Sequence, residues 1–178
     1  LERLADRLAV FPERSLYEGF GEATLAGPEP FAFFDHSPML GRANPLAPPI
    51  AMHGDEDGRR VHGSVVFGSA YEGPPGCVHG GYIAAAFDEL LGFANSLSGT
   101  PGMTGTLTIR YRHPTPLHTE LRFEGVCERS EGRKIYTSGQ LFAGETLCAE
   151  AEGLFISVGA ERFRGLFENV VEGVYQVT

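Results

Sequence analysis

One run of residues constrains this chain more than any other. From Tyr82 to Leu97 the spacing predicts a helix in which Ile83, Ala84, Ala85, Ala86, Phe87, Leu90, Leu91, Phe93 and Ala94 leave no broad polar face. A helix apolar on every side is expected to be buried all round, so the rest of the chain has to wrap around it. Asp88 and Glu89 nevertheless sit in its middle. Desolvating a carboxylate without a partner costs several kcal/mol or shifts its pKa, so an acid placed there needs either a partner or a task. The run is entered through Gly73-Pro74-Pro75-Gly76-Cys77-Val78-His79-Gly80-Gly81, a glycine- and proline-rich loop.

The flanking sequence reads as strands. Ile50 to Gly54 and Arg59 to Phe67 are joined by Asp55-Glu56-Asp57-Gly58, and Asp-Gly is a strong hairpin signal. Within the second of these, Val61, Gly63, Val65 and Phe67 alternate with His62, Ser64 and Val66, as a strand with one face on a core does. Beyond the helix, Leu107, Ile109 and Tyr111 alternate with Thr106, Thr108 and Arg110, and Pro114 to Pro116 breaks the run. Leu121 to Arg129, Lys134 to Phe142 and Thr146 to Val158 follow, linked by Glu131-Gly132-Arg133 and Ala143-Gly144-Glu145. Such short connections favour antiparallel hairpins over crossover helices. The order predicts an α+β fold, a curved antiparallel sheet wrapped around one long central helix at about 81–98. Residues 1–49 form a lead-in packed on the core, opened by a short amphipathic helix through Leu1, Leu4, Ala5 and Leu8; 50–158 form the core domain, and 159–178 a tail with room for a short helix.

Composition removes several classes of function. A net charge of -9 with 14 Lys+Arg offers no basic patch for phosphate neutralisation, which argues against nucleic acid and anionic membranes. The longest apolar run, Tyr82 to Phe87, is far short of the roughly 20 residues of a membrane span. The opening Leu1-Glu2-Arg3-Leu4-Ala5-Asp6-Arg7 is too charged for a secretory signal, although a chain starting at Leu leaves its natural beginning open. Cys77, Cys127 and Cys148 form an odd set without a CxxC spacing, which suits a reducing compartment, and the expectation is a cytoplasmic protein. His53, His62, His113 and His118 are scattered without HxxxH spacing, so no metal site is expected.

Three marks together resemble a known family: His79-Gly80-Gly81 before the apolar helix, Asp88 nine residues after the His, and Tyr111-Arg112-His113-Pro114-Thr115-Pro116-Leu117 beyond the next strand. They look like the hotdog-fold thioesterases, and within these most like the PaaI-like acyl-CoA thioesterases, over about Arg59 to Val158. The resemblance implies hydrolysis of an acyl- or aryl-CoA to free acid and CoA with no cofactor or metal, at sites lying on subunit interfaces of a homodimer or dimer of dimers. Carried over, Gly81 gives its backbone N–H to the thioester carbonyl, Asp88 activates water or attacks directly, and Thr104 holds the water. Gly73 departs from the family pattern, because many relatives carry Asn or Gln six residues before the His.

The chemistry fits these residue types. Thioester hydrolysis places negative charge on the former carbonyl oxygen, which N–H groups at a helix N-terminus stabilise by hydrogen bonding and by the macrodipole. A carboxylate desolvated by Phe87 and Leu91 is a stronger base toward water. Gly81 and Asp88 are seven residues apart, on nearly the same helical face but roughly 10 Å apart along the axis, so one carbonyl cannot easily reach both on a single helix. That separation favours a site shared between two copies of the chain. His79 either contacts the thioester or caps the helix, and Gly80 shares the turn. Glu89 is a fallback acid near the substrate or a solvated, salt-bridged neighbour. Arg110 and Arg133 are candidate contacts for CoA phosphates, with solvated strand ends as the plainer reading. Two rival functions share the fold: a non-catalytic acyl-CoA or lipid-binding protein, and a hydratase or dehydratase in which His is central.

Overall fold

The structure, a computed structural model, describes residues 37–41, 44–48, 50–55, 60–99 and 102–158. The helix expected at Leu1 to Leu8, the Asp55 to Gly58 turn beyond its first residue, and the tail after Val158 lie outside the described residues. Among the described residues the elements run β1 (Ala51–Gly54), β2 (Arg60–Val66), α1 (Gly80–Ser96), β3 (Gly102–Tyr111), β4 (Glu120–Glu131), β5 (Lys134–Ala143) and β6 (Thr146–Ser157). The strands form one sheet in the order β1-β2-β4-β5-β6-β3, and every neighbouring pair is antiparallel. The α+β expectation of a helix wrapped by an antiparallel sheet therefore holds, with α1 crossing from β2 near one edge to β3 at the other.

Why the helix lies on this sheet follows from the alternation. Val61 and Val65 of β2, Leu121 and Phe123 of β4, Ile135 and Leu141 of β5, and Ala151 and Phe155 of β6 are all buried. They meet Ile83, Ala86, Phe87, Leu90, Leu91 and Ala94, the buried residues of one side of α1. Phe87 and Phe123 pack edge to face with ring centroids 5.4 Å apart. Under Leu90 and Leu91 the sheet is stripped of side chains. A Cβ on Gly125 would stand 3.0 Å from Leu90 Cγ, one on Gly139 would stand 3.1 Å from Cδ2 of both leucines, and one on Gly153 3.2 Å from Leu91 Cδ1. Gly125 pairs directly with Gly139, so these gaps adjoin and the leucines sink into the middle of the sheet.

The helix is not buried all round, which corrects the reading of its composition. Gly81, Tyr82, Asp88 and Ser96 are exposed on one stripe, with Ala85, Gly92 and Phe93 only part-covered beside them. Alanine and glycine make a stripe look apolar in sequence while burying little surface themselves. Of the lead-in, Met39 and Ala47 are buried, and the Ile50 N–H donates to the Met39 carbonyl at 2.9 Å. No helix among the described residues is long and apolar enough to cross a membrane.

Gly153 is the tightest point of this packing, where a Cβ would lie 2.6 Å from Thr137 Oγ1 and 2.8 Å from Phe155 Cε2. Gly153→Ala should destabilise the fold by about 1–3 kcal/mol through overpacking. A thermal melt followed by circular dichroism checks this; an unchanged Tm would show that β6 can move away from α1.

Candidate active site

The loop before α1 is folded on itself. The Gly73 N–H donates to the Cys77 carbonyl at 2.9 Å, and the Cys77 N–H to the Pro74 carbonyl at 2.8 Å. Gly76 takes φ 74°, in the left-handed region that glycine enters freely, and its N–H donates to Glu72 Oε1 at 2.7 Å. The loop leaves between two supports, with the Val78 N–H on the Thr115 carbonyl (2.8 Å) and the His79 N–H on the Tyr71 carbonyl (2.9 Å). A Cβ at position 73 would stand 2.7 Å from His79 Cα, so this backbone accepts only glycine there.

His79 is the N-cap of α1. Its Nδ1 accepts from the Gly81 N–H at 3.0 Å, which satisfies one of the orphan donors of the first turn. The Gly81 N–H is therefore engaged, and a carbonyl reaching it has to displace the imidazole. Gly80 lies under the Tyr111 ring, and Tyr111 Oη donates to the Gly80 carbonyl at 2.8 Å. Tyr82 closes the other side, edge-on to Tyr71 at 4.9 Å between centroids.

Two turns further along α1, Thr104 Oγ1 donates to Asp88 Oδ1 at 2.8 Å. Strict period-2 alternation would put Thr104 on the face of Thr106, Thr108 and Arg110. A register shift between Thr104 and Thr106 inserts Gly105 as an extra residue, so Thr104 pairs with the buried Phe155 while Leu107 and Ile109 pair with Gly153 and Ala151. The bulge thus turns Thr104 to the helix side. Asp88 itself is exposed on the open stripe, and Phe87 and Leu91, expected to desolvate it, point into the sheet instead.

The burial falls on Glu89. It is half-buried and accepts from Ser37 Oγ at 2.9 Å, while Ser37 Oγ also accepts from the Met39 and Leu40 N–H groups at 3.2 and 3.1 Å. Among the described residues it has no ion-pair partner, and it is half-buried where the sequence reading had it solvated. Desolvation raises its pKa above the ordinary carboxylate value; the Ser37 hydrogen bond lowers it in part and the Asp88 charge adds to the rise. Neither the tether from Ser37 nor that from Tyr111 was assigned a role from sequence, because each joins residues far apart in the chain.

The two arginines are placed apart from Asp88. Arg110 lies on the outer face of the sheet, ion-paired with Glu152 at 2.8 Å, which holds its pKa up. There it lines a cavity of about 370 Å³ with Arg60, His62, Glu124 and Glu150. Arg133 sits in the β4–β5 turn, its Nε donating to the Ser157 carbonyl at 3.2 Å, at the same end of the sheet as Thr104. No group of three or more His, Cys, Asp or Glu side chains among the described residues could hold a metal ion.

A helix carrying Asp88 across antiparallel strands, entered through a capped glycine turn, is a hotdog arrangement, and comparison with solved proteins agrees. The crystal structure of a thioesterase superfamily protein matches with a TM-score of 0.67 and 36% identity, covering 87% of this chain and 81% of that one. Residues 75–150 match the thioesterase superfamily profile. The chain belongs to the thioesterase superfamily. Among curated proteins, the acyl-coenzyme A thioesterase THEM4 of Xenopus laevis is 38% identical over 93 residues, 51% of this chain and 42% of that protein. The acyl-coenzyme A thioesterase THEM5 of Homo sapiens is 31% identical over 96 residues, 53% of this chain and 39% of that protein. The chain thus spans less than half the length of these curated relatives. A Streptococcus mutans protein solved with bound acetyl-CoA shares the fold, with a TM-score of 0.58 and 21% identity over 62% of this chain and 89% of that one.

Two outcomes follow from the helix environment. A carboxyl whose folded pKa is raised binds its proton more tightly in the native state, so its contribution to stability is fully present below the unfolded value and lost as pH rises through the folded one. Glu89→Gln should therefore flatten the decline in Tm above about pH 4.5 relative to the parent chain, and parallel Tm curves for the two would refute the assignment. His79→Ala removes the cap and should cost about 1 kcal/mol, read from denaturant midpoints.

Proposed function

We propose that this chain is an acyl-CoA thioester hydrolase whose active site is completed by a second copy of itself. The observation that carries the reading is the Thr104–Asp88 hydrogen bond on the open stripe of α1, on the same helix face as the Gly80–Gly81 turn. Thr104 donates to one carboxylate oxygen and leaves the other for a water, whose second proton the threonine lone pairs can accept. In the water route Asp88 takes a proton from that water as its oxygen adds to the thioester carbon. In the direct route a carboxylate oxygen adds, and the resulting anhydride is hydrolysed. In both, the tetrahedral oxyanion is met by the Gly81 N–H once His79 Nδ1 has given it up, and collapse expels the CoA thiolate, which takes up a proton.

Two features support a shared site. On one helix Gly81 and Asp88 are separated by about 10 Å along the axis, too far for a single carbonyl and the water attacking it. β3 forms one edge of the sheet and presents ten residues, Gly102–Tyr111, with no partner strand on its outer side among the described residues. Met103 is 53% exposed on it, and the neighbouring stripe of α1 is bare, as surfaces awaiting a copy of the same chain are. Acyl-CoA as the substrate class is supported by the curated relatives. Arg133 stands at the Thr104 end of the sheet, where it is a candidate for CoA phosphates, whereas Arg110 would serve only from the outer face. A cytoplasmic setting is supported by the free state of Cys77, Cys127 and Cys148.

Thiol release from a panel of acyl- and aryl-CoA substrates tests the proposal. Asp88→Asn should lower kcat by about 100- to 10,000-fold with Tm preserved, the range of a lost general base. Thr104→Val should cost about 10-fold, the worth of one hydrogen bond to a charged group. Full activity in Asp88→Asn would remove Asp88 from the reaction. Specific activity should also fall on dilution through the dimer dissociation range; a monomer of constant specific activity would refute the shared site.

A further inference from the structure

The Gly81 N–H meets the oxyanion in the hydrolysis proposed above, but the Tyr111 hydroxyl behind the same peptide has no part in it. The carbonyl of Gly80 and the N–H of Gly81 belong to one amide. At its oxygen end stands Tyr111 Oη, donating at 2.8 Å; at its hydrogen end stands His79 Nδ1, accepting at 3.0 Å. Tyr111 is 54% exposed, so water is available to its hydroxyl, yet the hydroxyl is spent on this carbonyl. The ring also packs on Gly80, where a Cβ would lie 3.3 Å from Oη and 3.4 Å from Cζ. The residue reaches this position by the regular alternation of β3 through Leu107 and Ile109: Tyr111 pairs with buried Ala149 and faces the helix side, and the Gly105 bulge brings Thr104 to the same side at the opposite end of the strand.

We propose that Tyr111 is a positioning residue for oxyanion stabilisation: by donating to the Gly80 carbonyl it polarises the Gly80–Gly81 peptide and strengthens the Gly81 N–H as a donor. Hydrogen bonds in series across one amide reinforce each other, since charge drawn toward the oxygen leaves the N–H more positive. A stronger donor gains most where the acceptor carries most charge, so the effect falls on the transition state more than on bound substrate. The role in turnover rests on the hydrolase reading, and the polarised peptide on the two hydrogen bonds at its ends alone.

Tyr111→Phe, which removes only the hydroxyl, and a series of fluorotyrosines at position 111 of increasing phenol acidity, assayed where the phenols stay protonated, test it. Tyr111→Phe should lower kcat by about 3- to 10-fold with KM unchanged, less than the loss of a whole oxyanion donor. Across the fluorotyrosines kcat should rise with phenol acidity, a trend that a purely structural tyrosine would not produce. In protein labelled with ¹⁵N-glycine, the Gly81 amide proton should move upfield in Tyr111→Phe in the absence of substrate. An unchanged kcat, a loss confined to KM or Tm, or a stationary Gly81 resonance would overturn the proposal. No thiol release by the parent chain together with a moved Gly81 resonance would overturn the hydrolase reading and uphold the polarised peptide.

Discussion

The site depends on how closely α1 lies on its sheet. Leu90 and Leu91 press into a hollow where Gly125, Gly139 and Gly153 withhold side chains, and larger residues at those positions would lift the helix by the thickness of a methyl group or more. Interiors are packed densely enough that such a shift is not absorbed locally. Asp88 and Thr104 meet at 2.8 Å because the helix and β3 are both held against this hollow, the helix from above and the strand through its pairing with β6. The apolar contact thereby sets a polar distance.

The helix separates two adjacent acids by rotation alone. One residue step is about 100°, enough to leave Asp88 on the open stripe beside Thr104 and to turn Glu89 under the lead-in, where Ser37 meets it. Burial then raises the pKa of Glu89, whereas Asp88 is exposed on the open stripe. Side chains of nearly the same chemistry thus acquire different surroundings, the usual means by which a fold divides labour between carboxylates. β3 works in parallel with the helix. Its bulge brings Thr104 and Tyr111 to one face, so a single strand touches both the carboxylate and the glycine turn.

Much of this was legible in the residues. The loop from Gly73 to Gly81, the long helix and the antiparallel meander of β4, β5 and β6 all follow from local pattern: periodicity, Gly/Pro punctuation and short connections. Thr104 was named from the family resemblance, and alternation alone would have put it on the wrong face, because a bulge costs one residue and leaves no local mark beyond Gly105. The environment of Asp88 was misread for a related reason. Alanine and glycine raise the apolar count of a helix without showing which side is covered, so the expected desolvation belongs to Glu89 and not to its neighbour. At Gly73, where the sequence departs from the family pattern, the structure leaves no room for a Cβ against His79.

The sequence by itself determined the elements, their order and the residue types that meet at the helix N-terminus, since these depend on contacts within a few residues. Only the tertiary structure decided which atoms they engage: the Gly81 N–H on His79, the Tyr111 hydroxyl on Gly80, Thr104 on Asp88 and Ser37 on Glu89. Three of those four contacts join residues 16 or more positions apart, and hydrogen bonds of that reach depend on strand order and register, which no local pattern encodes. The stretch of glycines and the acid behind it are plain in the sequence, and the sheet decided where each group points.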